Sequence, residues 1–205
     1  MALTTYSDLQ TAIANYLARS DLSSQIPDFI RLAEIRLRRE LRIRQMLKNV
    51  TTLTTSGDAT VQLPQDFLQM RDLYIDGDPL QPVIYLTPSF FTSNAQSTYY
   101  GKPTRYTILA DEFKFAPYPD TAYTLYMLYY ASPPFLSSTQ TTNVWTANAM
   151  DCLLYGSLGE AEPYLMNDTR LQTWATLYQR GINSLTKSDD DAEFSASPLT
   201  MRVSR

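Results

Sequence analysis

Two pairs of carboxylates and one run of arginines are the side chains whose types and spacing could do chemistry. Asp111-Glu112 and Glu160/Glu162 are the pairs from which a glycosidase would draw its acid and its base or nucleophile. Asp111 falls at an expected hairpin tip and Glu160/Glu162 at an expected helix end, where solvated acids are ordinary. Arg31, Arg36, Arg38, Arg39, Arg42 and Arg44, followed by Lys48, crowd one short stretch. Guanidinium groups grip carboxylates or phosphates in bidentate fashion, so this run is a candidate contact surface. Its plain alternative is a solvated helix face, paired internally with Glu34 and Glu40. A third possibility is nucleic-acid binding by phosphate neutralisation.

Other chemistries lack their residues. The chain has no histidine and a single cysteine, Cys152. That removes the commonest general base, the usual catalytic triads, thiolate metal sites and an intrachain disulfide. Gly156 and Gly159 sit in a helical pattern and form no dinucleotide fingerprint, and no Walker-type G-K-[ST] occurs. Asp76-Gly77-Asp78 opens like a calcium loop but lacks the later ligands and the closing Glu, so it reads as a turn. No catalytic residue, cofactor or metal is expected, and the chain is read as a non-enzyme.

The elements that must carry these residues change period twice. Thr5 with Asp8 resembles a capping box ahead of the stripe Tyr6, Leu9, Ile13, Tyr16, Leu17. A second helix begins near Ser24, with Pro27 in its first turn. Ile26, Phe29, Ile30, Ala33, Leu37 and Leu41 share one face, Arg31, Arg38 and Arg42 the opposite one, and Glu34 is spaced to pair with Arg38. From Lys48 the period is two. A hairpin is expected over 50–63, turning at Ser56-Gly57-Asp58, then a strand over 67–75 and a short segment over 81–86. A brief helix capped at Thr87 follows, then a hairpin turning at Ala110-Asp111 and a strand over 123–130. The helical period returns with Trp145, Ala149, Cys152, Leu153 and Gly156, capped by Thr142 or Asn143. Pro163 breaks or kinks that helix, and Asp168 caps a fourth carrying Leu171, Trp174, Tyr178, Ile182 and Leu185.

The expected fold is therefore α+β: a four-helix bundle formed by residues 1–47 and 141–187, an inserted β-rich lobe over 48–140, and a flexible C-terminal tail over 188–205. Cys152, among apolar neighbours, reads as a buried structural thiol. With no signal-peptide pattern and no apolar run of membrane-spanning length, a soluble protein made in the cytoplasm is expected.

Charge gives the functional direction. Lys+Arg total 17 against 21 Asp+Glu, a net −4, so the arginine run is a basic island on an acidic molecule. Copies of such a molecule can pack head to tail, basic face to acidic face, and such contacts close into rings when the rotation allows. Tyr (15) exceeds Phe (8) and Trp (2), which suits both strands and partly buried contact surfaces. The tail, with Phe194, Leu199, Met201, Arg202, Val203 and Arg205, cannot build its own core and is suited to ordering on a partner.

Four stretches carry a resemblance over nearly the whole chain: TTYSDLQTAIANYLARSDLSSQIPDFIRLAEIRLRRELRIRQM, LPQDFLQMRDLYIDG, FKFAPYPDTAYTLYMLYY and AMDCLLYGSLGEAEPYLMNDTRLQTWATLYQRGINSL. In these the chain resembles the head-to-tail adaptor (connector or head-completion) proteins of tailed bacteriophages, particularly short-tailed ones. The resemblance implies a virion structural protein at the head–tail junction. It implies a twelve-membered homo-oligomeric ring beneath the portal protein, a platform for tail and nozzle proteins, and a channel through which DNA passes without sequence-specific binding. It also implies C-terminal segments that reach onto the portal. On that pattern Arg31, Arg36, Arg38, Arg39, Arg42 and Arg44 are subunit or portal contacts, and Phe194, Leu199, Met201, Arg202, Val203 and Arg205 belong to the reaching tail. A DNA-binding protein using the same helix, or another tail component, is the alternative.

Overall fold

The computed structural model describes residues 3–95, 99–166 and 169–194. The chain forms two units: Met1–Met46 with Pro133–Arg205, and Leu47–Ser132.

The first unit is helical. Helix α1 (Tyr6–Leu17) begins with the expected capping box, in which Thr5 Oγ1 accepts from the Asp8 N–H and the Asp8 carboxylate accepts from the Thr5 N–H. Helix α2 (Ile26–Glu40) starts with Pro27 and Asp28 in its first turn and ends with Arg38 and Arg39 in its last, each suited to the helix dipole. After the second unit come α4 (Val144–Asn148), α5 (Met150–Tyr164) and α6 (Leu171–Phe194). The third expected helix is thus two helices, because Ala149 leaves helical geometry at φ −142°, ψ 35°.

The helices do not make the expected four-helix bundle of two pairs. Helix α5 is the hub: α2 and α6 pack on it most extensively, α1 and α4 less. It can be a hub because it is apolar nearly all round, burying Cys152, Leu153, Leu154, Leu158 and Ala161. Small residues let its neighbours close in. A Cβ at Gly156 would lie 3.2 Å from Ala33 Cβ on α2, and a Cβ at Gly181 of α6 would lie 2.7 Å from Cys152 Sγ. Pro163 stands in the last turn of α5, one residue before its end.

Cys152 is fully buried at that crossing, and burial, with the Asp151 carboxylate beside it, pushes its thiol up to about 12. The thiolate is the reactive form. Native protein at pH 8 is expected to react with a thiol reagent more than about a hundredfold more slowly than protein unfolded in guanidinium. A native rate close to the unfolded one would contradict this burial.

The expected loose tail is corrected over 188–194. Helix α6 continues through Ser188–Glu193 to Phe194, and its Asp189 carboxylate accepts from the Arg44 N–H at 3.0 Å. Residues 195–205, and the cap expected at Asp168, lie outside the described residues.

The second unit is a sandwich of two four-stranded sheets. One has the order β1 (Leu47–Leu53), β8 (Thr124–Ala131), β3 (Phe67–Ile75), β4 (Gln81–Pro82). The other has β2 (Thr60–Gln62), β7 (Glu112–Ala116), β6 (Arg105–Leu109), β5 (Ile84–Tyr85). A one-turn helix, α3 (Pro88–Phe90), follows β5. Leu73, Ile75, Leu125, Met127 and Tyr129 of the first sheet pack with Tyr106, Phe113 and Phe115 of the second. The alternation along residues 124–130 of β8 and 112–115 of β7 produces that face. The β6–β7 hairpin turns at Ala110, at φ 53°, as expected. The hairpin expected over 50–63 does not form: β1 pairs with β8 and β2 with β7, so the two strands lie in different sheets. The turn itself is real, with Gly57 at φ 80°.

Candidate assembly surface

Helix α2 buries Ile26, Phe29, Ile30, Ala33 and Leu37, each large one worth roughly 1.5–3 kcal/mol. That burial fixes the rotation of the helix and therefore where each arginine sits. The structure does not gather the arginines into one free patch; it sends most of them to partners inside the first unit.

Arg31 and Arg38, two turns apart, both stack on one ring. Their guanidinium carbons lie 3.7 Å and 3.5 Å from the Phe135 centroid. Each such contact is worth roughly 0.5–1 kcal/mol at a partly exposed site. Arg38 also donates to Pro133 O at 2.7 Å, and burial pulls its guanidinium below its usual pKa while Glu34 acts against that. Arg42 donates to Arg38 O and Leu41 O, at 2.6 and 2.7 Å, and so caps the carbonyls left open where α2 ends. Arg36 pairs with Glu160 of α5 and lies over the Tyr178 ring of α6. Arg44 takes Asp189, its Nε 3.7 Å from the carboxylate. In the second unit, Lys48 Nζ meets Asp66 at 2.7 Å. Arg39 is exposed and makes no hydrogen bond or ion pair among the described residues.

The expected Glu34–Arg38 ion pair is absent. Glu34 is buried, 1 % exposed, and accepts instead from the Leu136 N–H at 3.0 Å and from Asn143 Nδ2 at 2.9 Å. Burial raises its pKa above the ordinary value, against those hydrogen bonds and the nearby arginines. Asn143 in turn caps α4 through the N–H groups of Trp145 and Thr146. One carboxylate thus pins the 133–143 segment to α2 and brings Phe135 to the arginines. Sequence reasoning gave Glu34 the wrong partner, Arg38, and missed Phe135 altogether. The signal available was an acid inside an otherwise apolar stripe, at 30, 33, 34 and 37.

Three of the four paired carboxylates are likewise engaged internally. Glu160 holds Arg36. Buried Glu162 accepts from Trp174 Nε1 at 2.8 Å and pairs with Arg170 at 3.1 Å. Glu112 accepts from Gln62 Nε2. Asp111 belongs to the other unit from Glu160 and Glu162. Among the described residues, no cluster of acids and cysteine is spaced to hold a metal ion, and no helix is long and apolar enough to cross a membrane.

What the geometry describes is a surface in which most of the arginines brace their own fold and Arg39 stands outward. Comparison with known proteins gives that surface a setting. A family model described as SU10 adaptor protein matches residues 4–202. The chain belongs to the SU10 adaptor protein family, a family of phage structural adaptors. No curated protein matches it.

Proposed function

We propose that the protein is a ring-forming, non-enzymatic virion adaptor that joins the capsid portal to the tail of a short-tailed phage, with twelve copies around the DNA channel. The match over residues 4–202 to an adaptor family carries this reading. An outward arginine, Arg39, on a chain of net charge −4 supports it, since a basic point on one copy suits an acidic face on the next. The DNA-binding alternative is less well supported, because Arg36, Arg38, Arg42 and Arg44 are already engaged within the chain.

The direct test is the native mass of the purified protein, alone and mixed with the portal of the same genome. A ring-sized complex supports the adaptor role; a monomer indifferent to portal overturns it. Arg39→Glu separates interface from fold. It is expected to change stability by less than about 1 kcal/mol, the scale of a reversed surface charge in a last helical turn. It is also expected to weaken ring formation more than about tenfold. Unchanged assembly would remove Arg39 from the interface. Arg38→Glu and Arg42→Glu are poorer probes, because both strip contacts that hold α2 and the 133–136 segment.

A further inference from the structure

The outward face of α2 has a spacing of its own. Asp28, Leu32, Ile35 and Arg39 follow one another at the four-three-four interval of a coiled-coil a/d seam. They lie on the side of the helix away from the buried Ile30, Ala33 and Leu37. Asp28 and Arg39 are exposed, Leu32 is 47 % exposed, and Ile35 is half-buried. The side chains of Asp28 and Arg39 make no hydrogen bond or ion pair among the described residues. The charges that flank the seam are drawn off to their own partners. Arg31 and Arg38 lie over Phe135, Arg36 pairs with Glu160, and Glu40 accepts from the Tyr178 hydroxyl at 2.8 Å. What stays outward is a stripe about 16 Å long, aliphatic in the middle, with an acid at its start and a base at its end.

Such a stripe is complementary to itself in one orientation. In a parallel pair each residue meets its own counterpart, which sets Asp28 against Asp28 and Arg39 against Arg39. Antiparallel pairing removes both repulsions. A two-fold axis at the midpoint of the seam, between residues 33 and 34, brings Leu32 of one copy against Ile35 of the other. The same register brings Asp28 against Arg39 at both ends. No shift along the helix is needed, because the acid and the base stand equally far from the midpoint, as do the two aliphatics. The contact covers the apolar centre and gives both unpartnered charges an opposite one.

We propose that α2 of one copy packs antiparallel on α2 of a second copy along Asp28, Leu32, Ile35 and Arg39, forming a two-fold pair. A contact of this kind uses the same patch on both copies, so it closes at two and does not propagate. The pair covers Arg39 in the free protein and must part before Arg39 can serve a ring contact. The inference stands apart from the ring reading, and its test omits the portal.

Sedimentation equilibrium of the full-length protein alone measures the pair. One helix seam is smaller than a standard interface, so the concentration range extends to about 1 mM. The wild type is expected to move from monomer to dimer within that range. Asp28→Arg and Arg39→Glu should each raise the dimer Kd more than about tenfold, because each sets like charges together at both ends of the seam. Mixed in equal amounts, the two variants should pair again: one carries bases at both ends and the other acids, so only the mixed pair matches. Leu32→Ala should weaken the pair with every charge in place. Circular dichroism of each variant checks that its helices are intact. A wild type that stays monomeric throughout overturns the proposal. So does a dimer that Asp28→Arg or Leu32→Ala leaves unchanged, which would place the contact elsewhere. Charge variants that fail to re-associate on mixing overturn the antiparallel register.

Discussion

Replacing Glu34 with alanine is expected to destabilise the protein by about 3 kcal/mol or more, whereas Glu34→Gln keeps the fold. The alanine leaves the Leu136 N–H without its acceptor and removes one of the two acceptors of Asn143 Nδ2, which keeps Pro134 O, and hydrogen bonds to a charged group carry about 1.5–3 kcal/mol each. The 133–143 segment then loses its hold on α2, and Phe135 its place between Arg31 and Arg38. Glutamine preserves the acceptor oxygen. The pH dependence has a definite sign. Burial raises the carboxyl above its ordinary value, so the folded state holds this proton more tightly than the unfolded chain does. The resulting stability is fully present below the unfolded value and is lost as pH rises through the folded one. Relative to Glu34→Gln, which cannot titrate, the wild type should therefore gain stability as pH falls from 7 towards 4. Urea unfolding of the three proteins at several pH values measures this. A wild-type-to-glutamine difference that stays flat with pH would contradict the raised carboxyl.

The second large effect is expected from Gly181→Val, at about 3 kcal/mol of destabilisation, the upper part of the usual range for overpacking. The cause is the crossing of α5 and α6, where a Cβ alone would come within 2.7 Å of Cys152 Sγ and 3.1 Å of Asp151 Oδ2. Asp151 is exposed and can swing aside, but Cys152 is fully buried, so its sulfur yields only if α5 or α6 shifts. A double-mutant cycle locates the clash. In a Cys152→Ala background, Gly181→Val should cost at least about 1 kcal/mol less than in the wild type, because the two sites touch. Strict additivity would mean that the cost arises elsewhere.

How much of this was legible in the sequence depends on how far apart the interacting residues are. The capping box at Thr5 and Asp8, the apolar stripe of α2 and the hairpin at Ala110 are settled within a few residues, and each appears as expected. The Gly57 turn was legible too, but its consequence was not. A turn brings two strands near each other; it does not oblige them to pair, and here β8 and β7, more apolar than either flank, claimed them instead. The same limit explains the helices. Two pairs are visible as pattern, yet a helix apolar on most faces, α5, becomes a centre and not one quarter of a bundle. The polar, acidic composition of residues 188–193 made them read as the start of a flexible tail. Asp189 gains partners at Arg44, 145 positions away, and the helix goes on. The arginines were the clearest signal in the chain, but which of them face outward is decided by Phe135, Asn143 and Glu160, about a hundred residues downstream.

The place of α5 in the chain also sets an order of events during synthesis. Its partners α1 and α2 leave the ribosome first, with their apolar stripes complete and nothing to bury them against, because Met150–Tyr164 has not yet been made. The sandwich, by contrast, is one continuous stretch, Leu47–Ser132, and has every strand it needs once Ala131 has emerged. Even within it, β1 must wait for β8 before its own sheet can form. The expected sequence is therefore inside out: the middle of the chain folds first, and the helical unit closes last, when α5 arrives between helices that have been waiting since the start. In a newly made chain, the interval before α5 appears is when the stripes of α1 and α2 are most open to aggregation or to a chaperone.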